Sequence, residues 1–197
     1  MASDLPERDE SRGKNPLREF LLIIGIAVLV SLVLVLWIRG GLRPAGGGFG
    51  GLAVGESAPK IDAVGWVNGE APTPERLAGK VVVIDAWATW CLPCRIKMPE
   101  LIETYRKFEG RDVVFVGLTS ETEQELPQID AFVEDLEVPW VIGYVADETL
   151  IALQAEVIPL VWVIGPDGKV VWNSGSPGTV DDGIEEALAA GRGSVSK

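Results

Sequence analysis

Hydrophobic and polar positions divide the chain into three zones. Residues 1–19 are polar, mixed in charge and without period, and read as a short disordered tail. Residues 20–38, FLLIIGIAVLVSLVLVLWI, form an uncharged run of 19 residues with no polar face. As a helix it spans about 28 Å, near the ~30 Å of a hydrocarbon core. A cleaved signal peptide would have a shorter apolar region and an A-x-A-like site after it, and a buried core helix would show a polar side. A single-pass anchor is the expectation. Residues 39–55 then read as a flexible tether, because eight of the sixteen residues from 40 to 55 are glycine.

Beyond the tether, short apolar runs alternate with amphipathic stretches. Residues 61–68 predict a strand ending at Gly69, and 73–78 a helical turn with Thr73 as N-cap before Pro74. Residues 80–87, KVVVIDAW, and 113–118, VVFVGL, predict strands buried on both faces. A helix is expected over 92–108, with Pro99 inside it. Residues 121–137 read as mostly helical, with seven acidic residues, no basic one and a solvated face. A strand over 140–145 and a helix over 147–156 follow. Strands over 160–164 and 169–172 flank the turn Gly165-Pro166-Asp167-Gly168. A helix over 180–190 closes the domain, leaving 191–197 as a flexible tail. The pattern predicts an α/β domain over 56–190, a mixed sheet covered by helices on both faces.

Charge sharpens the division. The net charge is −12, yet residues 1–51 hold six Lys/Arg and five Asp/Glu. The remainder holds eleven basic and 24 acidic residues. So acidic a body repels phosphate backbones, and nucleic-acid binding is not expected. Arg8, Arg12, Lys14 and Arg18 precede the apolar run, whereas only Arg39 and Arg43 follow it. That bias orients the N-terminus to the cytoplasm and the domain outside the cytoplasmic membrane. Histidine is absent, which removes Ser–His and Cys–His catalysis and the commonest zinc ligand.

Two cysteines remain, Cys91 and Cys94, three apart. They cannot form a disulfide-rich framework or a four-ligand zinc site. The segment Trp90-Cys91-Leu92-Pro93-Cys94 follows a buried strand and opens a helix. Unpaired N–H groups and the helix dipole favour a thiolate at Cys91. Pro93 falls in the first turn, where its missing N–H costs little. Cys94, one turn deeper, is in reach of a mixed disulfide formed at Cys91. A structural bridge or half a metal site is the bland alternative, but a bridge closing so small a loop would constrain the unfolded chain little. Asp85 lies in an otherwise apolar strand, where a buried carboxyl resists ionisation. It reads as a proton acceptor near neutral pH, or else as a strand-end Asp reaching a loop backbone.

At these residues the chain resembles the thioredoxin superfamily. VVVIDAWATWCLPCRIKMP over 81–99 is similar to its active-site segment. The opening GESAPKIDAV and the closing IPLVWVIGPDGKVV make the nearer resemblance one to membrane-anchored TlpA/ResA-type thiol–disulfide oxidoreductases, over roughly residues 54–190. The resemblance implies a thioredoxin-like fold, with Cys91 as attacking thiol, Cys94 as resolving thiol and Asp85 as the buried acid that assists the second cysteine. It implies a cis Ile158–Pro159 bond facing the cysteines, with Trp90, Pro93, Ile158 and Pro159 along the substrate groove; without it, Pro159 is an ordinary proline opening a strand. Trp87 and Trp90 would frame the cysteines, unless both are core residues. Implied partners are disulfide-containing client proteins, apocytochromes c among them, and a membrane electron donor that re-reduces the pair. No cofactor and no metal are implied. Lys97 stands where many ResA-like proteins have Glu, Leu160 where Thr is usual and Asp85 where Asn is more frequent. These departures bear on substrate and redox poise rather than on reaction class.

Other readings remain. A peroxidase-like redoxin would need a Thr-x-x-Cys setting, but Ala88 lies three before Cys91. A Cu(I)-handling thiol module would suit two soft ligands, but the chain lacks His and has only Met1 and Met98. An inert tethered scaffold would tolerate Cys91→Ser.

Overall fold

The computed structural model describes residues 16–39 and 50–194. Expectations for residues 1–15, 40–49 and 195–197 lie outside these. The chain divides into two compact units, the first containing α1 (Pro16–Arg39) and the second all later elements. In α1 the described apolar side chains are exposed, Phe20 to Val33 without a break. Among the described residues no helix is long and apolar enough to cross a membrane. The described side chains of α1 stop at Val33, five short of the end of the apolar run.

The second unit is built around β2 (Val81–Ala86), buried at every position. Three valines and an isoleucine favour the extended backbone there and fill both faces. β2 pairs in parallel with β3 (Val113–Leu118) and antiparallel with β5 (Leu160–Ile164). β4 (Val141–Tyr144) lies parallel to β3, and β1 (Gly65–Val67) antiparallel to β4. β6 (Val170–Asn173) pairs antiparallel with β5, giving the order β1-β4-β3-β2-β5-β6.

Alternation along β2 sorts the core into two layers. Val81 and Val83 pack with α3 (Leu92–Phe108), α4 (Leu126–Leu136) and α6 (Val180–Ser194). Val82, Ile84 and Ala86 pack beneath residues 52–63, α2 (Pro74–Leu77) and α5 (Asp147–Ala152). This is the mixed, doubly covered sheet that the pattern predicts.

Some boundaries differ. Only Gly65–Val67 of the expected first strand pairs with the sheet. Residues 121–137 begin with a 3-10 turn (Glu123–Glu125) closed by a capping box between Thr122 and Glu125, and α4 follows. α6 continues to Ser194, into the stretch read as a tail. Residues 50–55, assigned by composition to the tether, are packed into the domain. The Leu52 N–H donates to the Leu153 carbonyl and the Gly55 N–H to the Val170 carbonyl, both at 2.8 Å. A Cβ at Gly50 would stand 2.6 Å from the Gly175 nitrogen, and one at Gly51 2.7 Å from the Leu153 oxygen. The glycines at 50 and 51 therefore permit close backbone approach rather than slack.

Candidate active site

The chemistry sits where β2 hands the chain to α3. Cys91 is the N-cap of α3, and its Sγ accepts a hydrogen bond from the Cys94 N–H at 3.2 Å. Pro93 occupies the first turn, as its missing donor allows. The helix brings the sulfurs together, and Cys91 and Cys94 form a disulfide. Both are buried, at 4% and 2% exposure. Around them the rim is open and apolar, with Trp90 75% and Leu92 66% exposed, and Pro93 exposed too. The Ile158–Pro159 bond is cis, and both residues are half-buried at the start of β5.

Asp85, in β2, lines one cavity with Cys94. In the sheet it stands between Gly117 of β3 and Val161 of β5. It is 4% exposed, and its Oδ2 has no hydrogen-bond partner. Burial pushes its pKa from the ordinary 3.8 up to about 7. A cavity of about 320 Å³ opens beside it, lined by Asp85, Cys94, Lys97, Thr104, Pro159 and Trp172 among others. Of the sequence candidates, the cavity brings together Asp85, Cys94 and Pro159. Cys91, Trp90, Pro93 and Ile158 do not line it. A carboxyl that titrates near neutrality beside the resolving sulfur can take up and return the proton that Cys94 must lose and regain.

Trp87 does not frame the opening. It is 2% exposed and stacks on Phe132, with ring centroids 4.2 Å apart. Phe132 in turn carries the Arg95 guanidinium on its face, 5.3 Å from its centroid. The two sulfurs are the soft donors a thiophilic cation would need. Among the described residues no group of three or more His, Cys, Asp or Glu is placed to hold a metal ion.

One residue escapes the sequence reading. Glu121 counts among the seven acids of the expected solvated face, yet it is 7% exposed. It accepts hydrogen bonds from the Thr89 N–H at 2.9 Å, the Thr119 hydroxyl at 3.0 Å and the Thr89 hydroxyl. The available signal was Thr119-x-Glu121 placed immediately after a buried strand, at the same sheet end as the cysteines.

Residues 54–173 match the model of the AhpC/TSA family. The thiol-disulfide oxidoreductase ResA of a Bacillus cereus strain is 28% identical over 121 residues, 61% of this chain and 68% of ResA. The thioredoxin-like protein YneN of Bacillus subtilis (strain 168) is 34% identical over 95 residues, 47% of this chain and 55% of YneN. Two solved structures show the same thioredoxin-like fold. A thiol:disulfide interchange protein from Chlorobium tepidum TLS superposes with a TM-score of 0.57 at 23% identity, over 69% of this chain and 99% of that one. The thioredoxin domain of a thiol-disulfide oxidoreductase from Bacteroides vulgatus gives 0.58 at 22%, over 71% and 97%. With the match spanning more than half of its length, the chain belongs to the AhpC/TSA family, and its relatives named ResA and its structural neighbours are thiol–disulfide oxidoreductases.

Proposed function

We propose that this chain is a thiol–disulfide oxidoreductase that reduces disulfides of client proteins outside the cytoplasmic membrane. The observation that carries the reading is the Cys91–Cys94 pair at the N-terminus of α3, with a partnerless acid titrating near neutrality in the cavity that Cys94 lines. In the reduced protein the Cys91 thiolate attacks one sulfur of a client disulfide, and the other client sulfur leaves and takes a proton. Cys94 then passes its proton to Asp85 and attacks Cys91 Sγ, which expels the second client sulfur as a thiolate; Asp85 gives up its proton again as that thiolate is protonated. Two electrons and two protons reach the client, and the Cys91–Cys94 bond re-forms. A membrane electron donor presenting a dithiol reverses these steps and restores the pair.

The exposed rim of Trp90, Leu92 and Pro93 supports an extended client chain lying across the cysteines, with Ile158 and Pro159 on its other side. The uninterrupted apolar run and the excess of Lys/Arg before it support an anchor that places the domain extracytoplasmically. Apocytochromes c are clients the resemblance suggests.

Trapping tests the reading. In Cys94→Ser the mixed disulfide at Cys91 has no resolving thiol, so client proteins should accumulate in covalent, reductant-sensitive complexes with the full chain. Cys91→Ser should trap none. Equal trapping by both variants, or by neither, overturns the reading.

A further inference from the structure

Glu121 lies outside the cavity and takes no part in the exchange described above, yet its carboxylate is built into the turn that carries Cys91. Three neutral donors point at its two oxygens, from Thr89 twice and Thr119 once. The Thr89 N–H can only donate, and the two hydroxyls complete the polar shell of the carboxyl. The Thr119 hydroxyl also accepts the Glu121 N–H at 3.2 Å, and the Glu121 carbonyl accepts the Val145 N–H at 2.9 Å. Among the described residues no Lys or Arg pairs with it. Thr89 stands two residues before Cys91, and the Cys91 N–H donates to the Ala88 carbonyl at 3.1 Å to close the turn. The carboxyl is thus fixed and buried, and tied through Thr89 to the turn that carries Cys91.

We propose that Glu121 is a positioning residue that braces the Thr89–Cys91 turn and sets a negative charge against it, holding the pair toward the disulfide and making the protein the stronger reductant. A fixed anion in a poorly screened site opposes the thiolate that the helix N-terminus favours. The titratable groups lining the cavity beside Cys94 are Asp85, Lys97, Glu100, Glu103 and the pair Lys107–Asp181, and Arg95 of α3 is engaged by Asp135 at 3.1 Å. All of them persist when Glu121 is changed, so they cancel in the comparison.

The inference rests on the dithiol–disulfide reading and is tested by equilibrating full-length wild type, Glu121→Gln and Thr89→Val in detergent with dithiol buffers of defined potential. Each equilibration moves two electrons from the buffer dithiol to the Cys91–Cys94 disulfide, with two protons taken up below the pKa of the Cys91 thiol and one above it. At about pH 8, Glu121→Gln should favour the dithiol about tenfold, equivalent to about 30 mV. The difference should vanish at about pH 5, where the thiol is protonated in both proteins. Thr89→Val loosens the turn but keeps the charge, and should shift the constant less than about twofold. A Gln shift under about twofold at pH 8, or one equally large at pH 5, overturns the inference and leaves Glu121 a plain structural brace. Should the Gln variant not fold, wild-type Cys91 alkylation decides: a thiol pKa of about 7 or above is expected, and one below it overturns the proposal. If no protein equilibrates with the buffers at all, the dithiol–disulfide reading itself has failed, a result distinct from an unchanged constant.

Discussion

At the level of single residues, the two cysteines and Asp85 were legible because each violates its surroundings. A CxxC breaks a strand-to-helix junction, and one carboxyl interrupts a run of valines. Glu121 was illegible for the converse reason: in sequence it has acidic company, and only the fold separates it from the exposed acids. Asp85 makes a signed prediction. Its folded pKa of about 7 lies above the ordinary 3.8, so the unfolded chain loses its proton first as pH rises. Stability contributed by this group is therefore greatest below about pH 4, falls between about pH 4 and 7, and is level above. The fall amounts to about 4 kcal/mol. Denaturant unfolding of oxidised Asp85→Asn should lack that pH-dependent component. Its rate of exchange with a disulfide substrate should drop about tenfold or more at neutral pH, since no acceptor remains for the Cys94 proton. An unchanged rate would remove Asp85 from the mechanism.

Whole elements were read well where burial is two-sided or a cap is explicit. α3, β3 and β5 begin and end where the pattern put them, and Thr73 caps α2 by accepting the Arg76 N–H at 3.4 Å. Reading failed at edges, where pairing rather than pattern decides. β1 is short because only three residues meet β4, and the glycines at 50 and 51 look like slack although they pack tightly. α4 carries a cost the pattern hides. Its C-cap Glu137 adopts the left-handed conformation, φ 54°, and its last turn has no basic residue to answer the helix dipole. Glu137→Gly should stabilise the protein by about 0.5–1 kcal/mol, measured by denaturant unfolding, while leaving exchange rates alone. A loss of stability would mean that the Glu137 side chain makes a contact worth more than its backbone strain.

On the scale of the molecule, charge is the property that sequence and structure share most directly. The acidic body should draw basic disulfide substrates. Exchange with a lysine-rich peptide disulfide should outpace that with a glutamate-rich one severalfold at low salt, and the gap should close toward 1 M, where screening acts within ~3 Å. A gap insensitive to salt would show that the apolar rim, not the field, selects substrates. The Cys91–Cys94 bond has a further consequence for this scale. It closes a loop of a single turn inside the core, so it restricts the unfolded chain little and leaves it an ordinary peptide disulfide. Folding and oxidation then form a thermodynamic square. Any departure of the protein's redox poise from that of the unfolded peptide must reappear as a difference in unfolding free energy between its oxidised and reduced forms, about 1.4 kcal/mol for each 30 mV. A poise more reducing than that of the unfolded peptide must appear as an oxidised form that unfolds last, as a reductant of peptide-like client disulfides requires. Two melting curves, taken without client or membrane, therefore weigh the direction in which its electrons run.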